Sequence, residues 1–249
     1  MNRLNCVETY VNKENAHCGS FIIEPLEIGQ GITIGNSLRR TLLSDLTGYA
    51  ISGVRINNLK HEFSLIEGIR EDVLEVILNL KEINFKTNFT KKYLENLKFK
   101  GFLNVKGPLI VTAGLLNLPK DIIKIINPSQ YICTILDKSE LYIEIDIENG
   151  KGYKLAEENN KHQIEVKTFL KNSTTFQIDA IYMPIKKVNY KVKLIHDIYG
   201  NIKESLIIEV VTNGSLTAKR SLNEALKILI ETFYSLFINQ PFINILSKM

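Results

Sequence analysis

The sequence has no tryptophan, only three cysteines and no long hydrophobic run. The cysteines, Cys6, Cys18 and Cys133, are an odd number at unrelated spacings, which argues against a disulfide framework or a zinc site and is typical of a reducing compartment. The longest apolar runs, such as residues 207–211, are far shorter than the about 18 residues that span a bilayer. These absences predict a soluble protein without a membrane segment.

The chain also has little excess charge and no signal sequence. Its 31 basic and 27 acidic residues are spread along the whole length and leave a formal charge of +4, without the basic arm typical of nucleic-acid binding. The first ten residues lack an apolar signal core and an amphipathic presequence, so we expect the protein to act where it is made. With 249 residues, 45% of them hydrophobic, the chain can bury one large core or two modest ones.

Hydrophobic periodicity predicts an α+β fold. Leu141, Ile143, Ile145 and Ile147 alternate with polar residues, as in a half-buried strand, and a second alternating strand carries Val188, Tyr190, Val192 and Leu194 on one face. Further strands are expected at residues 20–26, 50–57 and up to Thr212. Helices are expected at residues 36–46, where Gly48 is placed to end the helix, at 71–80, and from the N-cap Thr217 to about Ile238, before Pro241. The polar segment 157–162 is expected to be a loop.

The first predicted helix has an apolar stripe and two arginines. Leu38, Leu42, Leu43 and Leu46 form the stripe, and Arg40 points almost opposite to its centre, so Arg40 is free to meet solvent or a partner. Arg39 falls beside the stripe, where an unpaired guanidinium would be costly, so we expect a carboxylate or carbonyl partner for Arg39.

The last predicted helix is apolar over about half of its circumference. A helix that packs only on its own sheet needs a narrower stripe, so the surplus favours either a contact with another copy across a two-fold axis or deep burial within one monomer. The stripe and its lateral extension comprise Leu222, Ala225, Leu226, Leu229, Ile230, Phe233, Tyr234, Leu236, Phe237 and Ile238.

Residues with catalytic potential are scattered. Gly29, Gly31 and Gly35 lie between a strand and a helix and suggest a nucleotide-dependent enzyme as an alternative, but their G-x-G-x-x-x-G spacing differs from the dinucleotide fingerprint. The four histidines have no metal-ligand spacing. The sequence therefore predicts neither a catalytic centre nor a metal site in this chain.

A collinear series of motifs resembles the alpha subunit family of bacterial and plastid RNA polymerases. The longest motif is GITIGNSLRRTLL at residues 31–43, and it follows IEPLE at residues 23–27. Further matches occur in order at residues 61–64, 68–73, 77–81, 107–108, 152–153, 183–184, 188–190 and 212–215. The resemblance covers nearly the whole chain.

The resemblance implies a two-part α+β fold. Residues 1–47 and 183–249 would form a dimerisation domain of antiparallel sheet plus two long helices, and residues 48–182 an inserted, strand-rich domain. Family members usually continue into a small helical DNA-binding domain, whereas this chain stops at Met249. We therefore expect that domain to be absent and DNA to be contacted only through the complete polymerase.

The resemblance also implies which residues make contacts in the polymerase. The expected contacts with the beta subunit are Arg40, His61, Glu62, Ser64, Glu71 and Asp72. The expected contacts with beta-prime are Lys186, Lys187 and Tyr190. The expected dimer interface comprises Leu38, Leu42, Leu43 and Leu46 of the first helix, and Leu226, Leu229, Phe233, Leu236 and Phe237 of the last.

In that family the alpha dimer is a noncatalytic scaffold. Catalysis and magnesium belong to the larger partner subunits, so no cofactor is expected on this chain. The Lys-rich and Ile-rich composition and the missing presequence suit a plastid-encoded subunit, with the cytoplasm of an A+T-rich bacterium as the alternative.

Overall fold

The computed structural model describes residues 3–12, 15–57, 59, 61–87, 98–119, 122–156, 175–196 and 200–238. Within these ranges the helices are α1 (Gln30–Ser44), α2 (Val73–Lys81) and α3 (Ala218–Ile238), with a short 3-10 helix at Ala113–Leu115. The strands are β1 (Arg3–Val11), β2 (His17–Leu26), β3 (Thr47–Ile56), β4 (Phe85–Thr87), β5 (Phe99–Lys106), β6 (Leu109–Thr112), β7 (Ile123–Ile125), β8 (Tyr131–Ile135), β9 (Glu140–Lys151), β10 (Tyr153–Lys154), β11 (Phe176–Gln177), β12 (Ala180–Ile181), β13 (Ile185–His196) and β14 (Ile202–Thr212). The predicted α+β class is confirmed.

Both ends of the chain contribute to one antiparallel sheet in the order β1-β2-β14-β13. Its inner face carries alternating apolar residues such as Phe21, Leu206 and Ile208, and α1 and α3 cover them in one hydrophobic cluster. This alternation is what a sheet with one buried face requires. The strand β13 is longer than its helical cover, so Val188 is buried whereas Leu194 is exposed.

A second hydrophobic cluster lies within the middle of the chain. Strands β11, β3, β9 and β5 form a four-stranded antiparallel sheet, and α2 packs with it in the same cluster. The four alternating residues Leu141, Ile143, Ile145 and Ile147 are all fully buried, as their pattern predicts. Three two-stranded sheets, β4-β7, β6-β8 and β10-β12, complete the described part.

The start and end of α1 differ from the prediction. The helix begins at Gln30, not near Asn36, so Gly31 and Gly35 lie inside it. Glycine is needed at both positions because a Cβ on Gly31 would lie 2.9 Å from Val192 Cγ1 and one on Gly35 2.6 Å from Tyr190 Cδ2. At the other end the helix ends at Ser44, with Asp45 as its C-cap residue. Gly48 is therefore not its cap and belongs to β3.

The other helices follow their predicted signals closely. Asp72 caps α2 by accepting a hydrogen bond from the Glu75 amide at 2.7 Å, so the preceding Glu71 lies outside the helix. At the start of α3, Thr217 Oγ1 accepts from the Arg220 amide at 3.3 Å, which confirms the predicted N-cap. The predicted loop 157–162 and Pro241 lie outside the described residues.

The three cysteines are free thiols, and two of them are buried. Burial raises the pKa of the Cys133 thiol to about 12, with a smaller contribution from the nearby Glu71 carboxylate. Such a thiol stays protonated at neutral pH and packs as a small apolar side chain.

Candidate protein-interaction surfaces

The second half of α3 exposes a large apolar surface. Leu222 and Ala225, in its first half, are buried against the sheet and α1, and Leu226 and Leu229 are partly buried there. Beyond them, six apolar side chains are between 56% and 65% exposed. They are Ile230, Phe233, Tyr234, Leu236, Phe237 and Ile238. We call these six residues the α3 apolar surface; contiguous exposed patches of this kind mark interaction sites.

The apolar stripe of α1 is covered by its own chain. Leu38, Leu42 and Leu46 are at most 1% exposed and belong to the same cluster as the inner face of the first sheet. The expectation that these three contact a second copy is therefore corrected, because α3 and the sheet already occupy the stripe. Leu43 is only partly buried and remains at the edge of that cluster.

Both arginines of α1 are exposed, Arg40 opposite the packed face of the helix and Arg39 at the flank of that face. For Arg40 this agrees with the helical wheel. For Arg39 the expected carboxylate or carbonyl partner is not found, since within the described residues no ion pair or hydrogen bond involves either guanidinium. Arg39 and Arg40 thus present two adjacent cations, with the exposed Ile32 two turns before Arg39 on the same face.

The glycine-rich turn before α1 holds a carboxylate of its own chain. Glu204 on β14 accepts hydrogen bonds from the Gly29 amide at 2.9 Å and from the Gly31 amide at 2.8 Å. Its side chain is buried, and a Cβ on Gly31 would lie 2.8 Å from Glu204 Oε2. The amides that a nucleotide phosphate would need are therefore occupied by Glu204.

A short loop before α2 exposes two apolar residues that are not among the predicted contact residues. Phe63 is 77% exposed and Leu65 83% exposed. Of the predicted contact residues in this loop, His61 and Glu62 are exposed and Ser64 is partly buried. The sequence could have indicated these residues, because Phe63 and Leu65 are large apolar residues in a mostly polar segment. Large apolar side chains at a surface are unfavourable unless a partner covers them.

Glu71 and Asp72, the other two predicted contact residues of this region, are used inside the chain. Asp72 caps α2, and Glu71 is only 4% exposed. Glu71 accepts hydrogen bonds from the Thr134 amide at 2.8 Å, from Arg70 Nε at 2.9 Å and from the Tyr131 hydroxyl. The expected direct contact of Glu71 with a partner is therefore corrected: a buried carboxylate with these donors instead ties the loop to β8.

The surroundings of Glu71 favour its charged form. Burial opposes ionisation, but the hydrogen bonds from Tyr131 and Thr134 and the Arg70 charge outweigh it and hold the pKa of Glu71 below its usual value of 4.5. A carboxylate with a lowered pKa in the folded state stabilises the fold above the unfolded-state pKa. This contribution is lost as the pH falls below about 4.5 through the folded-state pKa.

We expect the Glu71→Gln variant to be less stable than wild type by about 1–3 kcal/mol at neutral pH, because its three donors, the Thr134 amide, Arg70 Nε and the Tyr131 hydroxyl, lose a charged acceptor. The difference should shrink as the pH falls below about 4.5, where the wild-type carboxylate becomes protonated. Denaturant unfolding followed from neutral to acid pH measures it. Glu67→Gln, at an exposed glutamate of the same segment, is the control and should match wild type. A constant difference between Glu71→Gln and wild type at all pH values would contradict the assignment.

The predicted beta-prime residues lie on or beside β13, an edge strand of the first sheet. Lys187 is exposed, and Lys186 lines a groove between the two hydrophobic clusters. Tyr190 is partly buried, because its ring lies against Gly35 of α1. The groove also has apolar residues at Leu78, Ile181 and Met183 and amide side chains at Asn84, Asn127, Gln130 and Asn213.

The described ranges contain neither a cluster of metal-ligating side chains nor a helix suited to a membrane. Nowhere in them do three or more His, Cys, Asp or Glu side chains come together in a way that could hold a metal ion. None of the helices described combines the length and apolar character that crossing a membrane requires.

Fold and surfaces together define an α+β protein whose distinctive features are exposed apolar and cationic surfaces. Residues 54–183 match the model of the family described as the RNA polymerase Rpb3/RpoA insert domain. The chain is 43% identical to the DNA-directed RNA polymerase subunit alpha of Pyropia yezoensis over 235 residues. These aligned residues are 94% of this chain and 70% of the relative. It is 45% identical over 234 residues to that of Rhodomonas salina, covering 94% and 69%.

A third relative, the DNA-directed RNA polymerase subunit alpha of Trieres chinensis, is 43% identical over 238 residues, which are 95% of this chain and 71% of the relative. The chain therefore belongs to the family of DNA-directed RNA polymerase alpha subunits. The resemblance seen in the sequence motifs is confirmed. The matched range 54–183 overlaps most of the inserted domain expected at residues 48–182.

Proposed function

We propose that this chain forms a homodimer that scaffolds the assembly of the beta and beta-prime subunits of a DNA-directed RNA polymerase. The observation that carries the proposal is the α3 apolar surface, since its six side chains are more than half exposed in the isolated chain. Leaving them in water is unfavourable by about 25 cal/mol for each Å² that a partner could cover. A second copy supplies a partner with the same apolar surface, as a two-fold interface requires.

Along the helix, the dimer contact begins where the chain's own core ends. Leu226 and Leu229 are partly covered by that core, and Phe233, Leu236 and Phe237 are not. Leu43 of α1 lies at the edge of the same cluster and completes the contact. The interface proposed here is therefore smaller on α1 than the motif comparison implied, and α3 contributes most of it.

The proposed surface for the beta subunit combines a cationic and an apolar part. Arg40 supplies a guanidinium that is exposed and makes no ion pair within the described residues. The loop with His61, Glu62 and Ser64 supplies Phe63 and Leu65 as apolar anchors. Arginine is enriched among the residues that contribute most to interface binding energy, and a partner that covers Phe63 and Leu65 gains the burial of their apolar area.

The proposed surface for beta-prime is the β13 edge with the adjoining groove. Lys187 is exposed, and Lys186 lines the groove beside Ile181 and Met183. The apolar groove residues Leu78, Ile181 and Met183 would pack against an extended segment of the partner, whereas the amide side chains of the groove are hydrogen-bonded within this chain and hold its wall in place. Tyr190 contributes the exposed part of its ring and holds β13 against α1.

In this proposal the chain itself is noncatalytic. Magnesium and the nucleotidyl transfer reaction belong to the partner subunits, and DNA is contacted through the assembled polymerase. We place the protein in the plastid, since relatives such as those of Pyropia yezoensis and Rhodomonas salina come from algae and are at least 43% identical to it. The nucleotide-enzyme alternative is less well supported, because Glu204 occupies the glycine-rich turn.

The mass and composition of the complex that co-purifies with the tagged chain test this proposal. We expect two copies of this chain with one beta and one beta-prime subunit in native mass spectrometry, and a dimer when the chain is expressed alone. A stable monomer that captures neither large subunit would contradict the proposal.

A further inference from the structure

The start of α1 has no cap from its own sequence neighbours. The N-cap residue is Gly29, which lies in the left-handed region at φ 89° and has no side chain with which to accept the first helical amides. Glu204 supplies both missing acceptors from β14, at 2.9 Å to Gly29 and 2.8 Å to Gly31. Its carboxylate is also favoured there by the helix dipole.

The preceding residue of β14 holds the other side of the same turn. Lys203 Nζ lies 2.5 Å from Glu27 Oε1, and the Glu27 amide donates to Gln30 Oε1 at 3.1 Å. The turn has two contacts with β14. The hydrogen bonds to the Glu204 carboxylate are buried, whereas the Lys203–Glu27 ion pair is screened by solvent because Glu27 is exposed. The Glu204 carboxylate is therefore the stronger of the two attachments.

Beyond this turn, α1 lies directly on β13 through its glycines. Gly31 packs against Val192 and Gly35 against the Tyr190 ring, too closely for any Cβ. Gly31, Gly35 and Leu38 are buried on the packed face of the helix, Arg40 lies roughly opposite to them, and Arg39 is exposed at the flank of that face. A displacement of the first turn would thus be transmitted along a rigid helix to the two guanidinium groups.

We infer that Glu204 is a positioning residue for the guanidinium pair Arg39 and Arg40. The buried carboxylate fixes the start of α1 on β14, and so fixes which face of the helix a partner meets. Its effect on capture of the beta subunit rests on the function proposed above, whereas its effect on the helix start does not.

The test compares Glu204→Ala and Glu204→Gln in the full chain with the control Glu209→Ala, at an exposed glutamate of the same strand. In Glu204→Ala we expect amide hydrogen exchange at Gly29 and Gly31 to accelerate about tenfold or more, because both donors lose a charged acceptor. We expect capture of the beta subunit to weaken by a similar factor, with the dimer intact. Glu204→Gln, which keeps one acceptor oxygen, should be intermediate, and Glu209→Ala should match wild type.

Inorganic phosphate gives a readout that general destabilisation would not produce. The two amides freed in Glu204→Ala lie at a helix start, where anions bind. Phosphate should therefore raise the melting temperature of Glu204→Ala and slow exchange at Gly29 and Gly31, and should do neither in Glu209→Ala.

Unchanged exchange at Gly29 and Gly31 in Glu204→Ala would overturn the inference, as would accelerated exchange with wild-type capture of beta. Arg40→Ala, measured in parallel, separates the two proposals. If Arg40→Ala captures beta normally while Glu204→Ala does not, the proposed contact between Arg40 and beta is rejected. The inference that Glu204 positions α1 is then retained, with other residues on the exposed face of the helix making the contact.

Discussion

The variant Phe233→Glu is expected to be monomeric at concentrations where the wild-type chain is a dimer. The change forces an unpaired carboxylate into the proposed pairing surface, at a cost of about 3–5 kcal/mol. This raises the dimer dissociation constant more than about a hundredfold. Because each copy presents the same surface, the symmetric dimer contains the substitution twice. Light scattering and sedimentation over a concentration series measure the change.

The matched control is Ser235→Glu. Ser235 is exposed on the same helix, and two residues after Phe233 it lies about 200° away around the axis. The Ser235→Glu substitution therefore introduces the same charge on the opposite face of α3 and should leave the dimer intact. Dimers that persist in Phe233→Glu at the wild-type dissociation constant would show that α3 does not pair with a second copy.

The variant Arg40→Ala is expected to lose capture of the beta subunit while remaining a dimer. Arg40 is exposed and points away from the core, so its removal leaves the fold intact. An arginine anchor contributes about 2 kcal/mol or more, so binding should weaken by roughly thirtyfold or more. Co-purification with tagged beta, together with the mass of the alpha dimer, measures both outcomes.

Arg39→Ala is the comparison for Arg40→Ala, because it removes the same charge from the adjacent position about 100° around the helix. A loss specific to Arg40→Ala assigns the contact to that side chain. An equal loss in both variants would instead indicate a general electrostatic attraction, which salt should weaken in both. Normal capture by Arg40→Ala would contradict the assignment.

Much of the local structure was predictable because it repeats with a simple period. The alternation at Leu141, Ile143, Ile145 and Ile147 defines the buried face of β9 whatever lies beside it. The apolar stripe of α3 is similarly wider than the surface that the core of the chain buries. Phe233 and Phe237 belong to the part of the stripe that stays exposed. In both cases the signal is contained in a single segment.

The start of α1 was not predictable in the same way. Gly31 and Gly35 have low helix propensity and suggest a turn, so the helix was expected six residues too late. What stabilises the helix there is Glu204, 173 residues away from Gly31 in the chain, together with the close approach of Val192 and Tyr190. No local pattern contains that information.

The burial of charged residues was also not predictable from the local sequence. Glu71 looks like a surface residue in the first turn of a helix, yet Tyr131 and Thr134 enclose it. Arg39 lies beside an apolar stripe on the helical wheel, yet it is exposed, because the packed face of α1 is narrow and centred on Gly35 and Leu38. Whether a charge is buried depends on what another segment brings against it.

By itself the sequence determined the α+β class, most of its strands and helices, the family and the surplus apolar surface of α3, because periodicity and motifs are local properties of the chain. Only the tertiary structure decided that the leucines of α1 are covered by their own subunit, that Glu204 fills the glycine-rich turn and that Phe63 and Leu65 are exposed. Those outcomes depend on contacts between residues far apart in the chain, and such contacts exist only once both hydrophobic clusters have formed.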